Sequence, residues 1–190
     1  MKKILLALDI GNVCVRIDHN NCIKQFPDAI IPEGLFQLAR DYECGVIKEE
    51  EIFIRQALEI SNYRFTADEF KSAFESIIIS PVPGMTELVR DFTGMGVKAV
   101  YFSDISPTHL NRTREIFPAF DAVEDGVFSF DAGAWKPDVA MFSRFERLHG
   151  IPDLYVDDRE ELICAAIEHG WNAEIFTSSQ DLREKLLALS

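Results

Sequence analysis

ILLALDIGN, residues 4–12, is the stretch on which the fold reading turns. Five apolar residues, preceded by Lys2 and Lys3, run into a single carboxylate at Asp9 and then Gly11. An apolar run this short, closed by turn-forming residues, predicts a strand buried on both faces of a parallel sheet. Asp9 then stands at the strand's carboxyl end, the edge of an open α/β sheet where ligands bind. Taken alone, an acidic residue there reads either as a turn cap or as a group that does chemistry.

Working outward, the next strand of the sheet is late in coming. Residues 15–80 read as helical: 30–38 and 49–60 carry apolar residues at three- and four-residue spacings, and Thr66-Ala67-Asp68-Glu69 is a capping box opening the helix FKSAFESIII. That helix is expected to stop before the breakers Pro81, Pro83 and Gly84. Such an insertion far exceeds the roughly dozen residues that a parallel crossover needs. From residue 83 the α/β rhythm is regular. MTELVRDF is a helix, VKAVYFS a strand ending at Ser103-Asp104, and Ser106-Pro107 opens a helix with Ser as cap and Pro in its first turn. Residues 127–130 form a short strand before the loop 131–137, and DVAMFSRFERLH is a helix closed by Gly150. DLYVDD is a strand ending at Asp157-Asp158, followed by a helix closed by Gly170, the strand AEIF and the last helix DLREKLLAL.

Bulk properties narrow the function classes. With 47% hydrophobic and 27% charged residues the 190-residue chain has ordinary globular composition and enough length for one cored domain with an insertion. No apolar run approaches the roughly 20 residues of a spanning helix. Met1-Lys2-Lys3 before ILLAL has the outline of a secretory leader, but Asp9 interrupts it early and no small-residue cleavage site follows. Cys14, Cys22, Cys44 and Cys164 lack metal or redox spacing and read as thiols of a cytoplasmic protein. A net charge of −13, from 32 acidic and 19 basic residues, repels nucleic acid and anionic membranes. It also opposes a small anionic substrate, which local cations must then hold.

Three strands thus end in polar residues after apolar runs: Asp9, Ser103-Asp104 and Asp157-Asp158. A parallel sheet gathers all of them at one edge. Carboxylates brought together repel and raise one another's pKa, so the cluster needs compensation. Mg²⁺ suits it, since it takes oxygen ligands, one or two of them carboxylates, and keeps positions for water and a substrate phosphate. Lys136, in a Gly-x-x-Lys-Pro loop, adds a point charge.

In this order the residues resemble the haloacid dehalogenase superfamily of phosphohydrolases over nearly the whole chain: ALDIGNV as the nucleophile motif, VYFSD as the Ser motif, GAWKPD as the Lys motif and YVDDREELICAAIEHGW as the acidic motif. The resemblance implies an α/β fold, a Rossmann-like parallel-sheet core formed by residues 1–14 and 81–190. It also implies a helical cap, residues 15–80, inserted after the first strand as in the superfamily's subfamily IA, variant 3. DIGNV, RIDHNN and ECGVIKEEE look most like the branch of α-D-glucose-1-phosphate phosphatases. The implied activity is Mg²⁺-dependent hydrolysis of a small phosphorylated metabolite, by a monomer or homodimer. Asp9 would attack phosphorus and form an aspartyl-phosphate. Its second oxygen, the main-chain carbonyl of Gly11 and Asp158 would bind the metal, with Asp157 reaching it through water. Ser103 would hydrogen-bond the phosphoryl group, with Asp104 beside it, and Lys136 would neutralise both phosphate and Asp9. The turn at residues 43–45 is a candidate specificity loop in the cap.

Two positions depart from the pattern. Gly11 replaces the Asp that most phosphatases of the superfamily use as general acid, help worth about a hundredfold to ten-thousandfold. Asp104 stands where the branch usually has Asn; either its side chain turns away from the phosphate or it is protonated and serves as a substitute acid. Two rival functions follow: a binding or regulatory protein that has lost turnover, and a metal-free 2-haloacid dehalogenase, against which the Asp157-Asp158 pair argues. His19, His109, His149 and His169 lack ligand spacing and read as surface or cap residues, and Trp135 as pocket lining or packing.

Overall fold

The first strand, β1 (Ile4–Leu8), lies at the centre of a five-stranded parallel sheet and is covered on both faces, which is why its sequence is apolar without alternation. The computed structural model describes residues 3–26 and 30–189; Met1 and Lys2 of the leader-like start lie outside them. β4 (Val97–Ser103) and β6 (Leu154–Asp157) flank β1, with β5 (Gly126–Phe128) and β7 (Ala173–Ile175) outermost, giving the order β5-β4-β1-β6-β7. Leu8 is in register with Tyr101 of β4 and Val156 of β6. The residues that follow these three partners therefore emerge together at one edge.

Helices α5 (Met85–Asp91), α6 (Pro107–Ile116), α8 (Val139–His149) and α9 (Glu160–His169) connect the strands, with the four-residue α7 (Ser129–Ala132) after β5 and α10 (Ser179–Leu189) after β7. Their ends follow local chemistry: Ser106 accepts from the His109 amide, Asp138 accepts from the Ala140 amide, and Gly170 closes α9 in the left-handed region. One face of the sheet packs Phe102, Phe142, Phe145, Tyr155 and Trp171 together; the other shares a continuous core with the inserted helices.

The insertion is not wholly helical, as its sequence suggested. Val15–Ile17 forms β2 and Ile78–Pro81 forms β3, an antiparallel ribbon that joins the two ends of the insertion. The isoleucines of ESIII thus leave the expected helix, since α4 (Ala67–Glu75) ends early and β-branched residues pack well in a paired strand. The expected helix at 30–38 is displaced to α2 (Leu35–Glu43), because Pro32 and Gly34 delay its start, Gly34 standing at φ 87°. The short helix α1 (His19–Ile23) and α3 (Glu50–Ile60) complete the insertion, and the capping box of Thr66 and Glu69 is present. Beyond β5, Ser129 and Phe130 belong to α7 rather than to the strand. None of the helices among the described residues is long and apolar enough to cross a membrane.

Buried polar contacts tie the insertion to the sheet. Tyr42 Oη lies 2.9 Å from Thr108 Oγ1, which donates to Glu50 Oε1 at 2.6 Å, and Glu50 also takes Lys71 Nζ at 2.6 Å. The Ser129 hydroxyl donates to the Glu43 carbonyl at 2.7 Å. His109, expected at the surface or in the cap, is buried on α6, its Nε2 2.9 Å from the Phe74 carbonyl. The turn after α2 presses against α7 so closely that a Cβ on Gly45, at φ +69°, would strike the Phe130 carbonyl. Thr108→Val removes the partner of Tyr42 Oη and one of the two donors to Glu50. We expect it to cost about 1–3 kcal/mol, seen as a lower urea midpoint at unchanged slope.

Candidate active site

Asp9 follows β1 directly, and its amide donates to the Val156 carbonyl of the neighbouring strand at 3.1 Å, which keeps it level with the end of β6. Ser103 is the last residue of β4 and Asp157 the last of β6. Carboxylate oxygens of Asp9, Asp157 and Asp158 lie within 4.8 Å of one another. The three strand ends read from the sequence therefore converge.

Lys136 arrives from the loop between α7 and α8, and its side chain is fully buried. Its Nζ donates to Asp9 Oδ1 at 2.9 Å, Asp157 Oδ2 at 2.6 Å and the Phe102 carbonyl at 3.0 Å, with Tyr155 Oη at 3.3 Å. Burial opposes a charged lysine, but the surrounding acids, Asp9 foremost, more than offset it and hold the ammonium well above its ordinary pKa. Burial likewise opposes the Asp157 anion, yet Lys136, Tyr155 and the Arg159 amide win and its pKa falls. For Asp9 burial prevails: with the Asp157 charge beside it, and against Lys136 and Ser103, its carboxyl is pushed up to about 7.

The arrangement fits a divalent cation. All three clustered side chains offer carboxylate oxygens, and with Asp104 four carboxylates face two cations, Lys136 and Arg159, so the formal charge of the group stays negative. Asp157 has both oxygens occupied, Oδ2 by Lys136 and Tyr155 and Oδ1 by the Arg159 amide at 3.0 Å. Asp158, half-buried, takes Asn12 Nδ2 on one oxygen at 2.9 Å, and no other described residue hydrogen-bonds its side chain. Asp9 and Asp158 are thus the carboxylates free to take an ion, with Asp157 behind them.

Asp104 makes two charge-assisted contacts. Oδ1 accepts from the Lys136 amide at 2.9 Å and Oδ2 from Arg159 Nη2 at 2.9 Å. Both oxygens are taken by donors, so the residue anchors the lysine loop within an ion pair. The sequence reading missed Arg159, Asn12, Tyr155 and Arg40. Arg159 was signalled by its place next to the Asp157-Asp158 pair, and Asn12, at φ 52°, lay inside the opening stretch. Tyr155 and Arg40 gave no local sign. Trp135 lines the cavity above the cluster, its ring 4.8 Å from the Arg40 guanidinium. His19 lines the same cavity from the start of α1.

At Gly11 a Cβ would meet Ile17 Cδ1 at 3.3 Å and Asp9 Oδ2 at 3.9 Å, so the absent side chain would have stood at the nucleophile position. Another carboxyl does line the cavity: Glu43, at the end of α2, is pushed up to about 7 by burial and by the Asp104 charge, with Arg40 opposing. His109 Nδ1 is 4.0 Å away, but burial drops that imidazole to about 4, so it brings no charge near neutrality. A folded-state pKa above the ordinary 4.5 means that the native state holds the extra proton between pH 4.5 and 7. Stability from this group is therefore lost as pH rises through that window. Glu43→Gln is expected to match the parent at pH 4.5 and to exceed its unfolding free energy by about 1–3 kcal/mol at pH 8, read by denaturant titration.

No family model and no curated protein matches the sequence. Solved structures do. A HAD family enzyme of Bacteroides thetaiotaomicron, in complex with magnesium and inorganic phosphate, aligns at TM-score 0.81 and 19% identity over 93% of this chain and 96% of that one. A predicted HAD-like family hydrolase from Porphyromonas gingivalis aligns at 0.77 and 18% identity, over 99% and 98%. The L-2-haloacid dehalogenase of Xanthobacter autotrophicus, with chloropropionic acid covalently bound, aligns at 0.61 and 12% identity, over 99% and 83%. With a central parallel sheet flanked by helices and this likeness along its whole length, the chain has the fold of the haloacid dehalogenase enzymes.

Proposed function

We propose that this protein is a Mg²⁺-dependent phosphatase of the haloacid dehalogenase superfamily, acting on a small phosphorylated metabolite. The observation that carries the reading is the cluster of Asp9, Asp157 and Asp158 oxygens within 4.8 Å, bridged by the buried Lys136 ammonium. The oxygen-only donor set and its uncompensated charge favour this over a metal-free dehalogenase, although one neighbour in fold is a dehalogenase by name. A sugar 1-phosphate, the substrate of the branch that DIGNV and ECGVIKEEE resemble, is one compound to assay.

Asp9 is the nucleophile. Its carboxylate oxygen bonds to phosphorus as the ester bond breaks, giving an aspartyl-phosphate that water then hydrolyses. Lys136 offsets charge on Asp9 and on the phosphoryl oxygens, and the Ser103 hydroxyl orients the phosphoryl group. Asp9, Asp158 and the Gly11 carbonyl would hold Mg²⁺, with Asp157 supporting from behind. The ion would supply charge neutralisation of the phosphoryl group. Asp104 and Arg159 keep the lysine loop in place. The inserted helices act as a cap whose closure excludes water from the intermediate.

Asp9→Asn is expected to lower Mg²⁺-dependent phosphate release by more than about a thousandfold while the urea unfolding curve stays cooperative. A chelator is expected to abolish release from the parent, and added Mg²⁺ to restore it. Full activity in Asp9→Asn, or turnover indifferent to chelator, would refute the assignment.

A further inference from the structure

The cavity that opens above Asp9 and Asp158 holds about 430 Å³, the size of a small-ligand site. Its floor is charged. Its wall is mainly apolar: Ile17, Ile23, Leu35, Phe53, Phe70 and Phe74 face it from the β2–β3 ribbon and the inserted helices. Apolar side chains outnumber the polar ones along it. His109 spends Nε2 on the Phe74 carbonyl, Glu43 sits beside His109, and Arg40 stacks on Trp135, whose indole N–H has no partner among the described residues. At the mouth, Phe36 and Ile31 line the same cavity while remaining 69% and 39% exposed, so the approach is apolar too.

We propose that the substrate is an aryl phosphate, with its phosphoryl group on the charged floor and its aromatic ring in this apolar chamber; the proposal rests on the phosphatase reading given above. A sugar placed here would set several hydroxyls against carbon and lose their water without replacement. An aromatic ring instead gains apolar burial and ring contacts with the phenylalanines. Gly11 points the same way. Attack by Asp9 forms the bond from its carboxylate oxygen to phosphorus and breaks the bond from phosphorus to the aryl oxygen, whose electron pair leaves as a phenolate. A phenolate departs without a proton far more readily than an alkoxide, so it suits a site with no proton donor two residues after the nucleophile. The phenolate takes its proton from solvent. Water then attacks phosphorus, the bond to Asp9 breaks, and the products are phenol and inorganic phosphate.

The test is steady-state hydrolysis by the full chain, with Mg²⁺, of 1-naphthyl phosphate, phenyl phosphate and glucose 1-phosphate. Naphthol and phenol are similar leaving groups, so their comparison isolates the apolar chamber. The expected result is a KM for naphthyl phosphate at least about tenfold below that for phenyl phosphate, with kcat within a few-fold. Glucose 1-phosphate is expected to be at least about a hundredfold poorer in kcat/KM. Phe36→Ser, at an exposed position, should raise the KM for naphthyl phosphate more than that for phenyl phosphate. Glucose 1-phosphate used as well as naphthyl phosphate, or equal KM for the two aryl esters, would overturn the inference and leave the phosphatase reading standing. No Mg²⁺-dependent hydrolysis of any of the three would overturn both.

Discussion

Lys136 Nζ, with no exposed surface, touches two carboxylates, a main-chain carbonyl and a tyrosine hydroxyl. Two acidic side chains buried at the ends of adjacent strands would repel each other in a medium that screens poorly, and a single ammonium between them makes the pair tolerable. The lysine in turn depends on its loop. Its amide is held by Asp104, and Asp104 is held by Arg159, which immediately follows Asp158. The site is thus a closed circuit of charge, running from β1 through the lysine loop to the end of β6 and back.

The circuit is incomplete in one respect that defines its chemistry. Its cations do not match its anions, and the deficit falls on Asp9 and Asp158, the two members with room for an external ligand. Burial, with the Asp157 charge adding to it, raises the Asp9 pKa, whereas Asp157, saturated with donors, is held below its ordinary value. Identical side chains on neighbouring strands are thereby given different tasks by their burial and their partners. Above this floor the inserted helices add a vault of phenylalanine and isoleucine, so the cavity changes from charged to apolar within a small volume.

The vault is held down by polar contacts rather than by apolar packing alone. Tyr42, Thr108, Glu50 and Lys71 form a chain of hydrogen bonds across the junction, and the turn at Gly45 abuts α7. Such contacts are directional, and they set the height of the vault over Asp9. The β2–β3 ribbon fixes where the insertion leaves and rejoins the sheet.

Much of this was legible in the chain. The strand ends at Asp9, Ser103 and Asp157-Asp158, the helix cap at Ser106, and the capping box at Thr66 all follow from local patterns, because apolar periodicity and turn chemistry act over a few residues. The same locality explains the errors. ESIII continued a helical pattern until a partner strand 60-odd residues away claimed its isoleucines, and Asp104 looked anomalous until Arg159, 55 positions on, supplied its counter-charge. By itself the sequence determined which groups stand at the sheet edge, since each is placed by its own strand. Only the tertiary structure decided which carboxylates are saturated, which can take a ligand and what lines the cavity, because those depend on distances between residues that the chain order keeps far apart.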